Sequence, residues 1–259
     1  MIKNLTEKAN HLLDDLFAFI STPRCAGCGN LLDSPRQPLC PTCGSNLSFP
    51  GDGPVCLICR SPQGIKCNCG KQNECDVPRL YYWCTYTEII RRLIHQFKFE
   101  SQYKIGQYVT TIALNAVIDR ISTQKFDLII PIPMLKRDIH KREFNQTELI
   151  AREVSRQLDI PVVIDILRKI KPTKLQANLG RKERWQNIKG AFDVANDNRL
   201  TGKSCLLIDD IVTTGATCLE AAQVLYSHKA ALVTVFALVS NHYEFAGVEH
   251  QTEYTDGII

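Results

Sequence analysis

The stretch Leu206-Leu207-Ile208-Asp209-Asp210-Ile211-Val212-Thr213-Thr214-Gly215-Ala216-Thr217 decides how the rest of the chain is read. Its first part is a buried-type strand, Ser204 to Asp209, that ends in two carboxylates. A hydroxyl-rich turn with one glycine follows, and the residues from Ala216 to Ser227 have helical spacing. Backbone N–H groups at a helix N-terminus favour a phosphate, and Thr213, Thr214 and Thr217 add hydroxyl donors. Acids at the carboxyl end of a strand face the crevice where open α/β sheets bind ligands, and they can accept hydrogen bonds from sugar hydroxyls. Neither a G-x-G-x-x-G fingerprint nor a G-x4-G-K-[ST] loop is present, so dinucleotide and P-loop readings fall away. The plain alternative is a strand-end turn with an N-cap acid.

Working outward, the text alternates strand and helix on both sides of this segment. Expected strands are Tyr81 to Thr87, Asp127 to Ile130, Val162 to Leu167 and Ala230 to Val239. Expected helices are Glu88 to Phe97, Tyr103 to Ile121 and Gln146 to Leu158. Such alternation implies a mostly parallel sheet with helices on both faces. Leu5, Leu12, Leu13, Leu16, Phe17 and Ile20 suggest an amphipathic helix before it, and the tail from Asn241 carries no pattern. The expected organisation is therefore an N-terminal helix (1–22), a Cys-rich module (23–80), the α/β domain (81–240) and a tail (241–259).

Ten of the twelve cysteines fall between Cys25 and Cys84, in a segment rich in Gly, Pro, Asn and Ser that needs a staple to hold together. The longest apolar run, Ala230 to Val239, is too short to span a bilayer, and residues 1 to 20 lack the features of a secretory signal. A cytoplasmic location is expected, and paired cysteines in a reducing compartment point to metal rather than disulfides. Cys25, Cys28, Cys40 and Cys43 form two C-x2-C knuckles eleven residues apart, a spacing that suits tetrahedral zinc. Cys56, Cys59, Cys67 and Cys69 would form a second site, with Cys75 as an alternative ligand. Cys84, Cys205 and Cys218 read as buried side chains.

Charge is uneven. Residues 136 to 189 sum to +7 and residues 190 to 259 to −6, within a chain of net charge +4. A concentrated basic stretch suits a polyanion, either a phosphorylated small molecule or nucleic acid. Arg168 to Lys189 holds eight basic residues against Glu183, with Trp185 among them. It reads as a flap over a ligand, as a track for single-stranded nucleic acid with a base stacked on the indole, or as a solvated surface.

The segment around Asp209 resembles the signature of type I phosphoribosyltransferases, which bind 5-phosphoribosyl 1-pyrophosphate (PRPP). Further segments are similar to the ComF family of competence-associated proteins, which join a Cys-rich zinc module to a phosphoribosyltransferase-like domain. These are Leu93-Ile94-His95-Gln96-Phe97-Lys98-Phe99, Ile130-Pro131-Ile132-Pro133, Arg142-Glu143-Phe144-Asn145-Gln146, Thr173-Lys174-Leu175-Gln176 and Gly190-Ala191-Phe192. Glu143 stands where the family usually has glycine, placing a negative charge close to the expected pyrophosphate position. The resemblance implies an α/β fold of the type I phosphoribosyltransferase kind, a parallel sheet with flanking helices, behind a small N-terminal zinc-binding module. It also implies the 5-phosphate on Thr213, Thr214, Gly215, Ala216 and Thr217, ribose hydroxyls on Asp209 and Asp210, and pyrophosphate near Lys136, Arg137 and Arg142. Structural zinc and PRPP-bound magnesium are the implied metals. Two functions follow: phosphoribosyl transfer to an unidentified nitrogen acceptor, or single-stranded DNA binding in DNA uptake with PRPP as a regulatory ligand. Competence or DNA-uptake proteins are the partners either role implies, and membrane insertion is not expected.

Overall fold

The computed structural model describes residues 23–33, 38–47, 53–62, 77–99, 103–135, 138–139, 144–174, 179–195 and 198–241. The expected N-terminal helix, the tail after Asn241, Lys136, Arg137, Arg142, Glu143, Cys67, Cys69 and Cys75 lie outside the described residues. In chain order the elements are α1 (Pro41–Ser45), β1 (Val55–Cys56), β2 (Arg79–Thr85), α2 (Glu88–Phe99), α3 (Tyr103–Ile121), β3 (Leu128–Pro131), α4 (Gln146–Leu158), β4 (Leu167–Lys169), α5 (Arg181–Ile188), β5 (Phe192–Val194), β6 (Ser204–Val212), α6 (Ala216–Ser227) and β7 (Leu232–Ser240).

The main sheet has the order β1-β2-β7-β6-β3. All its neighbours are parallel except the antiparallel β1–β2 pair. Cys205 to Ile208 of β6 and most of β7 are apolar and buried, as parallel strands covered on both faces must be. Their side chains alternate between two cores. Cys205 and Leu207 of β6, with Val233, Val235 and Ala237 of β7, face α6 and the β4–β5 hairpin. Leu206, Ile208, Phe236 and Leu238 face the side occupied by α2, α3 and α4.

Local chemistry explains the helix limits. Asn145 caps α4 by accepting from Thr147 N–H at 3.2 Å, and α4 ends at Asp159 in the left-handed conformation, φ 55°. Gly106 permits the close crossing of α2 and α3, since a Cβ there would lie 2.2 Å from the Phe97 ring. The observed limits of α3 and α4 match the expected ones, as does the parallel α/β architecture.

Two expected strands differ. Val162 to Leu167 is not one strand: Val162 makes a single parallel bridge to Ile129, the chain bends, and Leu167 starts the separate β4–β5 hairpin. The bend carries Asp165, whose carboxylate pairs with Arg199 at 2.9 Å and whose carbonyl accepts from Arg168. An exposed Ile164 at the same bend shows that apolar character alone overstated the strand. Strand β6 also runs past the acid pair, because Ile211 and Val212 continue the ladder with Val239 and Ser240 of β7.

The Cys-rich segment does not sit apart from this fold. Its β1 forms an edge of the main sheet, and Leu57, fully buried, enters the core beneath α6. Cys25, Leu39, Cys43 and Leu47 join the opposite core, and Arg92 of α2 donates to Gly27 O at 2.9 Å.

Candidate functional site

The carboxyl end of β6 and the start of α6 enclose a cup lined by Asp209, Ile211 to Cys218 and nothing from elsewhere in the described chain. Gly215 makes the turn in the left-handed region, φ 80°, and serves as the N-cap of α6. Thr214 is buried, and its hydroxyl accepts from Ala216 N–H at 3.3 Å, which ties the turn to the helix. The remaining first-turn amides of such a helix have no intrahelical acceptor.

The two acids differ in setting. Asp209 shares the face of Cys205 and Leu207, on the α6 side, and lines the cup, which Asp210 does not. Asp209 is 8% exposed; one oxygen accepts from Asp210 N–H at 2.9 Å and the other from the Cys218 thiol at 3.2 Å. Burial first, then the Asp209 carboxylate, pushes the Cys218 thiol far above its ordinary value, so it stays a neutral donor. Asp210 is half-buried and accepts from Ile211 N–H at 2.7 Å.

Opposite the cup, Asn145 and Thr147 fasten α4 to the end of β3. Asn145 Nδ2 and the Thr147 hydroxyl both donate to Ile132 O, at 3.2 and 2.6 Å. This bond pair anchors both ends of the segment that carries Lys136, Arg137 and Arg142, whose own positions lie outside the described residues.

A third contributor was not legible in the sequence. Arg60, just after the Cys56–Cys59 turn, is 3% exposed and reaches under the cup. Its guanidinium donates to Thr213 O at 2.8 Å, to Val212 O at 3.4 Å and to Ser240 Oγ at 2.8 Å. Leu57 O comes so close to the turn that a Cβ on Gly215 would lie 2.8 Å from it. The available signal was a C-x2-C knuckle ending in arginine at a position that needs φ 60°, where glycine is the easy choice.

The four cysteines of the first set converge: their Sγ atoms all lie within 4.8 Å of one another. Cys28 and Cys40 are 3.8 Å apart, the sulfur separation of about 3.8 Å that a tetrahedral site with bonds of about 2.3 Å requires. Backbone amides of Cys40 and Cys43 donate to the sulfurs of Cys25 and Cys40, as thiolates want. Burial opposes ionisation of Cys25, yet donors from Cys40, Cys28 and Gly27 outweigh it and bring the thiol down to about 6. For Cys43, burial and the neighbouring sulfurs act together and push the thiol up. This donor set could hold a metal such as zinc. Of the second set, Cys56 and Cys59 are buried together, Cys56 in β1 beside β2 and Cys59 in the turn that follows.

In the basic stretch, the side chains of Arg168, Lys171, Lys174, Lys182 and Lys189 are exposed along the hairpin and α5. Glu183 is used locally, accepting from Gly180 N–H at 2.8 Å at the start of α5. Trp185 packs half-buried against the core beneath α6. No described helix is long and apolar enough to cross a membrane.

The fold is of the phosphoribosyltransferase type, and the phosphoribosyl transferase domain model matches residues 145–250. The chain is 33% identical over 205 residues to competence protein F of Haemophilus influenzae, covering 78% of this chain and 83% of that protein. It is 29% identical over 188 residues to the DNA utilization protein YhgH of Escherichia coli, covering 71% and 82%. To competence protein ComFC of Bacillus subtilis it is 28% identical over 220 residues, covering 79% and 85%. The chain belongs to the ComF family. Among solved structures it is similar to the glutamine PRPP amidotransferase of Bacillus subtilis, at 15% identity and TM-score 0.37, over 55% of this chain and 30% of that one.

Proposed function

We propose that the protein binds PRPP in the cup at the start of α6 and supports the uptake or use of external DNA, as the names of its relatives suggest. The observation that carries the reading is the turn at Gly215, which sets Thr213 to Thr217 around an anion-sized cup beside the Asp209 carboxylate. The 5-phosphate sits on the first-turn amides and threonine hydroxyls. Asp209, held in place by the Cys218 thiol, accepts a ribose hydroxyl, and Asp210, next to it at the end of β6, accepts a second.

Carboxylate oxygens are the donors magnesium takes, so Asp209 and Asp210 suit an ion held mainly by the pyrophosphate and ribose oxygens of PRPP. When bound, that ion supplies neutralisation of the pyrophosphate charge. In transfer, the bond from C1 to the pyrophosphate oxygen breaks and the pair leaves with pyrophosphate. A nitrogen acceptor then bonds C1 and gives up its proton to solvent. Lys136, Arg137 and Arg142 stabilise the leaving pyrophosphate, and the protein's contribution is positioning and charge. Cys25, Cys28, Cys40 and Cys43 would hold a structural zinc that ties the two knuckles together, and Arg92 fastens the first knuckle to α2.

Calorimetric titration of PRPP and magnesium tests the site. Wild type is expected to bind and Asp209→Asn plus Asp210→Asn to bind far more weakly; equal affinity sinks the assignment. A second reading, DNA binding without transfer, is favoured by the exposed basic row from Arg168 to Lys189. With Trp185 packed on the core, contact there is to the phosphate backbone rather than by base stacking. Salt-sensitive binding of single-stranded DNA that survives the Asp209 and Asp210 changes supports it, and acceptor-dependent pyrophosphate release supports transfer.

A further inference from the structure

We propose that Arg60, supplied by the Cys-rich segment, is a positioning residue that sets the phosphate-binding turn from behind and places a positive charge beneath it; this rests on the PRPP reading above. Three observations converge on it. The guanidinium is almost wholly buried, at 3% exposure, where an unneeded charge would be costly. It grips the turn through the carbonyls of Val212 and Thr213, the two residues that lead into the cup, while its Nε is held by Ser240 at the end of β7. Its backbone sits at φ 60°, a conformation that disfavours an L-residue relative to glycine and persists where surrounding contacts over-determine it.

The geometry gives these bonds a direction. A carbonyl drawn toward Arg60 turns the amide on the other side of the same peptide plane away from Arg60, since the two groups point oppositely across it. Thr213 O drawn down therefore leaves Thr214 N–H facing up, toward the mouth of the cup. The same hand closes from the next residues in the chain: Leu57 O lies against Gly215, and Cys56 O accepts Arg60 N–H at 2.9 Å. The Cys56–Cys59 turn thus delivers both the wall behind Gly215 and the charge beneath Thr213. The ligand class it favours is a phosphate monoester dianion, whose charge the buried guanidinium complements through the peptide layer.

Titration of PRPP with magnesium into wild type, Arg60→Gly, Arg60→Lys and Ser240→Ala tests this. Glycine suits the backbone at φ 60° but lacks the grip, and a charged hydrogen-bonding group lost from the site corresponds to an affinity loss of about tenfold or more. Lysine restores a charge and one donor, and is expected to recover affinity to within about threefold of wild type. Arg60→Gly that binds as wild type does, or Arg60→Lys no better than Arg60→Gly, overturns the proposal. If Arg60→Gly lacks a cooperative melt, Ser240→Ala decides: it frees Nε alone and is expected to weaken PRPP about threefold, and unchanged affinity overturns the proposal. A wild type that does not bind PRPP sinks the functional reading itself, whereas binding that ignores Arg60 sinks this inference alone.

Discussion

Gly215→Ala separates two effects that the turn imposes together. The first is conformational: at φ 80° an L-residue is disfavoured by about 1–2 kcal/mol. The second is steric, because the added Cβ would meet Leu57 O at 2.8 Å and Leu57 Cγ at 3.2 Å. The first of these is backbone and cannot swing aside, so an overpacking cost of about 1–3 kcal/mol is added. The sum, about 2–5 kcal/mol, corresponds to a fall in melting midpoint of roughly 4 to 20 °C for a chain of this size. Gly202→Ala is the internal control. Gly202 has φ 72°, yet nothing lies within 4 Å of its added Cβ, so only the conformational part applies. Thermal unfolding followed by the fluorescence of the buried Trp83, with PRPP titration of each variant, gives the measurement. Gly215→Ala should melt well below Gly202→Ala and lose PRPP affinity, while Gly202→Ala keeps it. Equal midpoints would refute the close approach of Leu57 to the turn, and an unchanged PRPP affinity would refute the turn as the phosphate site.

Two further outcomes are expected. Cys28→Ser, at the exposed corner of the cluster, should lower bound zinc by about one per chain in elemental analysis, while Cys205→Ala, buried within β6, leaves it unchanged. The Glu153 carboxyl is held below the usual range chiefly by Arg156, against partial burial, with Gln157 and Thr111 adding to it. A lowered native value means that the unfolded chain takes up the proton first, so this contribution is full above the ordinary carboxylate range and lost as pH falls through it. Urea melts of wild type and Glu153→Gln should therefore differ at pH 7 and converge toward pH 3, and a gap that widens in acid would contradict the assignment.

Where a signal is local, the sequence carried it to the residue. Helix α4 begins at Gln146 because Asn145 is an N-cap with its acceptor in place, and that preference needs no tertiary partner. The strand–turn–helix unit around Gly215 and the paired cysteines were equally legible, since glycine freedom and ligand spacing act over a few residues. The span Val162 to Leu167 was misjudged because apolar β-branched residues look alike in a strand and in a bend, and only the tertiary fold parts Val162, bridged to Ile129, from Leu167, paired with Val194. The acid pair was read as the end of a strand, whereas pairing with β7 carries β6 on to Val212.

By itself, then, the sequence determined the α/β architecture, the strand–turn–helix unit at Gly215 and the four-cysteine cluster, because each follows from short-range periodicity, backbone freedom or ligand spacing. Tertiary structure alone decided which acid lines the cup, since that depends on how far the β6 ladder extends and which face α6 covers. It also decided that the Cys-rich segment packs against the turn at Gly215 from behind. Arg60 and Leu57 meet Thr213 and Gly215 from a distant part of the chain, and no spacing rule within either segment encodes a contact between them.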